Sequence, residues 1–368
     1  MSHEIDGHFQ HAHGHRMRRA FATFRRARPH VITYAGMAAL LLVLAVAMLA
    51  ALCFGAYPIS PATLWDSLSA SSSTDRAVAV LVQLRAPRVA LAVMVGAGFG
   101  AVGSALQALF RNPLADPGLI GVSSGAALGA SLMIVSGSTL FARFGARADE
   151  AIACAAFLGA MTVTVLVYRL GSSQGRVQLS VLLLSGIAAN ALAGAIIGML
   201  SYVASDAQLR SLTFWSLGSL GSAQWQTLGA IAPFVAAGIA LIAMNAQTLN
   251  LMQLGESEAH YLGVRVRRVK RITLLAAALV VGALVSCTGQ IGFIGLVAPH
   301  CVRLACGPDQ RRVLPASALL GAILTVLADL AARTIAAPAE LPLGILTAMI
   351  GAPFFLLLIV RQRRLLGD

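Results

Sequence analysis

Ten apolar runs of bilayer-crossing or near-crossing length dominate this chain of 368 residues and leave it few ways to fold. They cover 31–54, 89–110, 118–135, 151–168, 181–203, 228–249, 272–287, 291–305, 315–332 and 344–360. A lipid interior offers no water to backbone N–H and C=O groups, so such runs satisfy those groups internally, as helices. The predicted fold is an all-α integral membrane protein with ten transmembrane helices. The 291–305 run is short for a crossing, and neighbouring helices would have to shelter its ends.

Charge orients these helices. A formal net charge of +13 in a soluble protein would suggest nucleic acid, but 58% apolar content and a mean hydropathy of +0.81 exclude one solvated basic face. Nucleic acid is not an expected partner; the lipid bilayer is. The basic residues cluster at 16–28, Arg111, Arg169 with Arg176, 265–271, 303–312 and 361–364. Short basic loops stay in the cytoplasm, which predicts both termini inside. A merged or missing 291–305 crossing would put the C-terminal arginines outside.

Residues 1–30 read as a cytoplasmic, disordered His/Arg-rich tail and 31–368 as the ten-helix domain. The tail carries His3, His8, His11, His13 and His15, a pattern that also suits divalent metal or haem iron. The first run could be taken for a signal peptide, but its basic region and apolar stretch are too long. Cys53, Cys154, Cys287, Cys301 and Cys306 form no Cys-x-x-Cys pair and read as packing residues, so no metal site is expected.

The chain holds one lysine, Lys270, inside Arg265-Val266-Arg267-Arg268-Val269-Lys270-Arg271, with no Gly-rich turn before it. A P-loop needs a lysine at the end of such a turn to reach the nucleotide phosphates. The chain is therefore not expected to be an enzyme or to bind a cofactor. If ATP drives it, ATP and Mg sit in a separate subunit.

Small residues recur every four positions in three runs: Gly96, Gly100 and Ser104; Gly121, Gly125 and Gly129; and Gly186, Asn190, Gly194 and Gly198. That spacing lets helix backbones approach closely in lipid. Asn190 inside the third stripe suits either a packed interface or the border of a solute path. Between the second and third runs, Asp116-Pro117 reads as an N-cap and first helical residue. Ser60-Pro61 suggests a short interfacial helix on the outer side. The segment 214–221 is too short and Gly-rich to cross, and either lines a cavity or belongs to an aromatic belt with Trp225.

Three separated motifs occur in order: Arg111-Asn112-Pro113-Leu114-Ala115-Asp116-Pro117-Gly118 with Gly121-Val122-Ser123-Ser124-Gly125; Gly292-Phe293-Ile294-Gly295-Leu296-Val297-Ala298-Pro299-His300; and Glu340-Leu341-Pro342-Leu343-Gly344. Together they resemble the permease subunits of type II ABC importers for haem, ferric siderophores and cobalamin, from about residue 35 onward. The resemblance implies a homodimer in the bacterial inner membrane, two cytoplasmic ATPase subunits and a periplasmic substrate-binding protein.

It also implies site residues. The loop 254–264 resembles a coupling helix that seats in the ATPase, through Gly255, Glu256, Glu258, Ala259, Tyr261 and Gly263. Arg85, Arg88 and Arg333 fit the outer arginines that pair with glutamates of the binding protein, although Arg333 can also pair with Asp329, four residues earlier. The translocation path is expected at Arg176, Gly186, Asn190, Gly194 and Gly198. Arg176 could meet a carboxylate of the cargo or simply anchor the topology. His300 follows Pro299 and reads as structural or gating rather than as an iron ligand.

The expected function is ATP-driven import of haem, with ferric siderophore or cobalamin as alternatives. A secondary transporter would be expected to carry mid-membrane ionisable residues, and Asp329 is the lone candidate. An intramembrane enzyme would need a catalytic set that the runs do not contain.

Overall fold

The computed structural model describes residues 29–55, 76–137, 148–173 and 176–366. The histidine-rich tail through residue 28 and the segment around Ser60-Pro61 lie outside them. Residues through Leu42 form one compact unit and Val43–Asp368 a second, and the second contains the packing that positions the site.

Helices account for nearly all described residues. In order they are α1 (Pro29–Cys53), α2 (Arg76–Ala79), a π-helical stretch (Val80–Arg85), α3 (Ala86–Leu109), a 3-10 turn (Pro117–Ile120), α4 (Val122–Ser136) and α5 (Ala148–Leu170). A two-stranded antiparallel ribbon, β1 (Ser172–Ser173) and β2 (Arg176–Val177), leads into α6 (Leu179–Val203) and α7 (Asp206–Leu217). Then come α8 (Trp225–Met244), α9 (Ala246–Leu254), α10 (Glu256–Tyr261), α11 (Val266–Thr288), α12 (Ile294–Cys306), α13 (Gln310–Ile335) and α14 (Leu343–Leu366). Each of the ten apolar runs falls on one principal helix. Seven helical stretches are long and apolar enough to cross a membrane, and Val122–Ser136, Ile294–Cys306 and Leu343–Leu357 are shorter apolar helices.

Three boundaries differ from the sequence expectation for local reasons. The Asp116-Pro117 cap opens the 3-10 turn rather than α4: Asp116 Oδ1 accepts from the Gly118 N–H at 2.8 Å, and Gly121 at φ 80° breaks the chain before α4. The run 228–249 divides at Asn245, whose side-chain amide donates to the Leu241 carbonyl at 2.7 Å. Residues 214–217 of the 214–221 segment end a regular helix, 206–217, whose N-terminus carries a Ser205/Gln208 capping box. The loop that follows is pinned rather than open, since Ser219 N–H donates to the Thr288 carbonyl and Leu343 N–H to the Gly218 carbonyl.

Helices α3 and α11 form the centre. In the span containing α3, 78% of the most apolar window is buried, against 17% for α6, so α3 is an interior helix and α6 a peripheral one. The α3 glycines explain the difference. A Cβ at Gly96 or Gly100 would strike the carbonyls of Gly321 and Ser317 in α13, and one at Gly103 would strike Gly295 in α12. Gly125 and Gly129 of α4 meet Gly159 and Ala155 of α5 in the same way.

Candidate translocation path and coupling face

The chain between α9 and α11 makes α10, a six-residue helix bracketed by Gly255 at φ 141° and Gly263 at φ 86°. Both glycines hold backbone angles that a side chain disfavours, so they set the sharp entry and exit. Ala259 is fully buried beneath the helix while Tyr261 is 88% exposed. Leu254 and Leu262 are also exposed. Helix α10 thus presents an aromatic and aliphatic knob with Glu258 beside it. It is fixed from behind by Lys270, which is 1% exposed and lies 2.6 Å from Glu256 through its Nζ. The chain's sole lysine positions the predicted coupling helix.

Elsewhere, Arg85, Arg88 and Arg333 come together around Asp329 and Glu340. Arg88 Nε donates to Asp329 Oδ1 at 2.9 Å and its Nη1 to both oxygens of Glu340. Arg333 Nε lies 3.0 Å from Asp329 Oδ2, and its Nη2 donates to the Ala51 carbonyl. Arg85 donates to the carbonyls of Leu52 and Cys53. Three cations therefore face two carboxylates and the unsatisfied carbonyl end of α1, whose partial negative charge complements the excess. Arg85 and Arg333 are buried, and the exposed charge is Glu340. Internal acceptors hold the guanidinium groups of the predicted docking trio, because burying a charge requires pairing it.

The predicted path stripe divides into two halves. Gly186 is buried against the Leu119 carbonyl, and Asn190 accepts from Ser124 Oγ at 2.5 Å while donating to the Gly118 carbonyl at 3.2 Å. These two anchor the 117–124 segment within the chain. Gly194 and Gly198, one and two turns further on, have open space where a Cβ would stand. Exposed Ile187, seven residues before Gly194, continues that open face. Arg176 pairs with Ser173 in the ribbon just before α6, and its side chain lies outside the described residues.

The motif 292–300 forms the start of α12. Phe293 at φ 67° precedes it, and the helix continues through Pro299, so that proline does not break it. The His300 ring stands edge-on to Phe354 of α14 at 6.2 Å, a packing contact between two short apolar helices.

The FecCD transport family model matches residues 41–361. The chain belongs to the FecCD transport family. It is similar to the hemin transport system permease protein HmuU of Yersinia pestis, 46% identical over 88% of this chain and 95% of that protein. It is 42% identical to the cobalamin import system permease protein BtuC of Halobacterium salinarum, over 77% of this chain and 74% of that protein. A solved structure of a metal-chelate type ABC transporter, in an inward-facing conformation, matches with TM-score 0.77 and 30% identity over 88% of this chain and 98% of the other. This FecCD chain is a multi-pass permease of the type II ABC importer class, a class in which ATP hydrolysis is not the permease's own task.

Sequence reasoning missed two of this permease's fixed points. The Lys270–Glu256 pair was hidden because the lysine sits among arginines that read only as a topology signal. Lysine is a compact point charge, and here it fits a buried position that faces a single carboxylate. The Arg88–Asp329 contact joins residues 241 positions apart, beyond any helical spacing rule.

Proposed function

We propose that this permease carries haem from periplasm to cytoplasm across a bacterial inner membrane. It works as a homodimer with ten crossings per copy and both termini inside, beside two cytoplasmic ATPase subunits and a periplasmic binding protein. The observation that carries haem over other chelates is the 46% identity to a hemin permease across nearly the whole of both chains. The cobalamin permease match, at 42% over a shorter stretch, keeps a corrinoid as the second reading.

In this reading the open Gly194 and Gly198 face of α6 borders the path between copies, where small residues leave room for a bulky planar cargo. Arg176, just before α6, meets a haem propionate on its way. Tyr261 and Glu258 on α10 seat against the ATPase, so nucleotide-driven closure moves α10 and, through Lys270, α11. The binding protein docks over the Arg85, Arg88 and Arg333 cluster, where a partner carboxylate displaces Glu340 from Arg88.

The test is uptake into proteoliposomes holding the permease, its ATPase and its binding protein, with haem, cobalamin and a ferric siderophore compared. ATP-dependent uptake of haem alone is the expected result. Uptake of cobalamin without haem overturns the substrate, and uptake without ATP overturns the class. Arg176→Ala should slow haem and leave a carboxylate-free cargo unchanged; equal slowing of both returns Arg176 to a topology anchor.

A further inference from the structure

A cavity of about 390 Å³ opens between the ends of α3 and α12 that carry basic residues, lined by Gln107, Arg111, Asn112, Gln253, His300 and Arg303 among others. Its lining contains two guanidinium groups and an imidazole and no carboxylate. Nothing proposed above for coupling, docking or the path uses it.

Two polar atoms on its lining residues are buried without partners. Arg303 Nη2 has no acceptor, and Gln107 Oε1 has no donor although the Nε2 of the same amide reaches the Leu296 carbonyl at 3.2 Å. Leaving such groups unsatisfied is unfavourable, and a ligand with both an anionic oxygen and a hydroxyl matches what these two side chains lack. Arg111 adds a second cation from a strained position, a non-glycine residue at φ 53°. Leu304, also in the lining, is 76% exposed, so the mouth of a charged cavity is apolar on one side.

We propose that this cavity binds the headgroup of an anionic glycerophospholipid, its phosphate held by Arg303 and Arg111, a headgroup hydroxyl by Gln107, and its acyl chains running past Leu304. Basic pockets between transmembrane helices suit such headgroups, since a guanidinium holds phosphate in two directions and a tail keeps the lipid in place. The space exceeds what a single partner carboxylate would fill. Assignment to the cytoplasmic leaflet rests on the topology proposed above, whereas binding itself does not.

Native mass spectrometry of the full-length permease in neutral detergent micelles tests this, titrating phosphatidylglycerol against phosphatidylcholine and, separately, inorganic phosphate. Micelles offer lipid to every surface, so failure of the topology or substrate reading leaves the outcome untouched. Wild type should retain phosphatidylglycerol about tenfold more tightly than phosphatidylcholine, and Arg303→Gln should lose about tenfold for phosphatidylglycerol alone. Arg111→Gln, a change in an exposed loop, should lose part of that preference and serves if Arg303→Gln does not fold. Equal retention of the two lipids overturns the proposal, as does full phosphatidylglycerol binding in both variants. Inorganic phosphate binding as tightly as phosphatidylglycerol would make this a free-anion site and overturn the lipid.

Discussion

Helices α3 and α6 carry the same signal, small residues every fourth position, and put it to opposite uses. Gly96 and Gly100 of α3 are closed by the backbone of α13, whereas Gly194 and Gly198 of α6 face open space. Between these extremes Gly186 and Asn190 tie α6 to the 117–124 segment, so the glycine stripe of α6 is closed at one end and open at the other. Small-residue spacing announces a close approach without saying whose. An internal seam holds the chain together, and an open one is available to a second copy or a passing solute.

The sharpest way to break this comparison is to enlarge one glycine from each stripe. Gly100→Leu drives a side chain into the Ser317 carbonyl, which cannot move without separating α3 from α13, and should cost about 3 kcal/mol or more. Loss of monodisperse protein on size exclusion is the expected readout. Gly194→Leu meets nothing within the chain, so its unfolding free energy should stay within about 0.5 kcal/mol of wild type. Haem uptake by that variant should nonetheless fall by an order of magnitude or more, roughly 1.4 kcal/mol in the transport barrier. Equal behaviour of the two variants would remove the distinction between closed and open seams.

Next in size is a comparison of the two charged clusters. Charge reversal at Arg85, Arg88 and Arg333 would set new carboxylates beside buried Asp329 and break the fold before docking could be measured. Glu340→Gln is the cleaner probe. Glu340 is half exposed, so the change should cost only about 0.5 kcal/mol of stability, while the freed Arg88 should bind a partner carboxylate more tightly. Unchanged binding-protein affinity at low and physiological salt would detach this cluster from docking. On α10, Glu258→Ala with Tyr261→Ala should leave the fold intact, since both residues are exposed, and should uncouple ATP hydrolysis from uptake. Glu256→Gln should weaken the same coupling less, with about 1 kcal/mol of lost stability, because one partner of its ion pair is half in water. Normal coupling in both variants would take α10 out of the transmission path.

What the sequence made legible follows the same division. Hydropathy located the apolar helices, seven of crossing length and three shorter among the described residues, because each apolar run can satisfy its backbone only as a helix. Glycine bracketing located α10. What stayed hidden depends on direction and distance: which stripe is closed, since the spacing in α3 and α6 is identical; which acceptors hold Arg88, since Asp329 and Glu340 are far along the chain; and where α4 begins, since Gly121 packs against Val163 and Val167 of a neighbouring helix. The burial of Arg85 and Arg333 was not legible, because exposure is a property of the neighbours.

The smallest expected effect lies where the closed seam meets the basic side of the chain, at the N-terminus of α13. Asp309 caps that helix: its Oδ1 accepts from the Arg311 N–H at 3.1 Å and from Asn250 Nδ2 at 2.6 Å. Burial alone would raise this carboxyl, but the Asn250 amide, the Arg311 N–H and the charges of Arg312 and Arg311 together hold it below the usual carboxylate range. A folded-state pKa below the unfolded one means the ionised cap contributes its full stability above the unfolded value. That contribution fades as pH falls through the folded value, so wild type and Asp309→Ala should converge in thermal midpoint on acidification below about pH 4. Near neutral pH the variant should be less stable by about 1 kcal/mol, the usual scale of a lost cap. A gap that stays constant into strong acid would show that the side chain acts by packing, and that the seam closed by Gly96 and Gly100 needs no charged cap to hold its end.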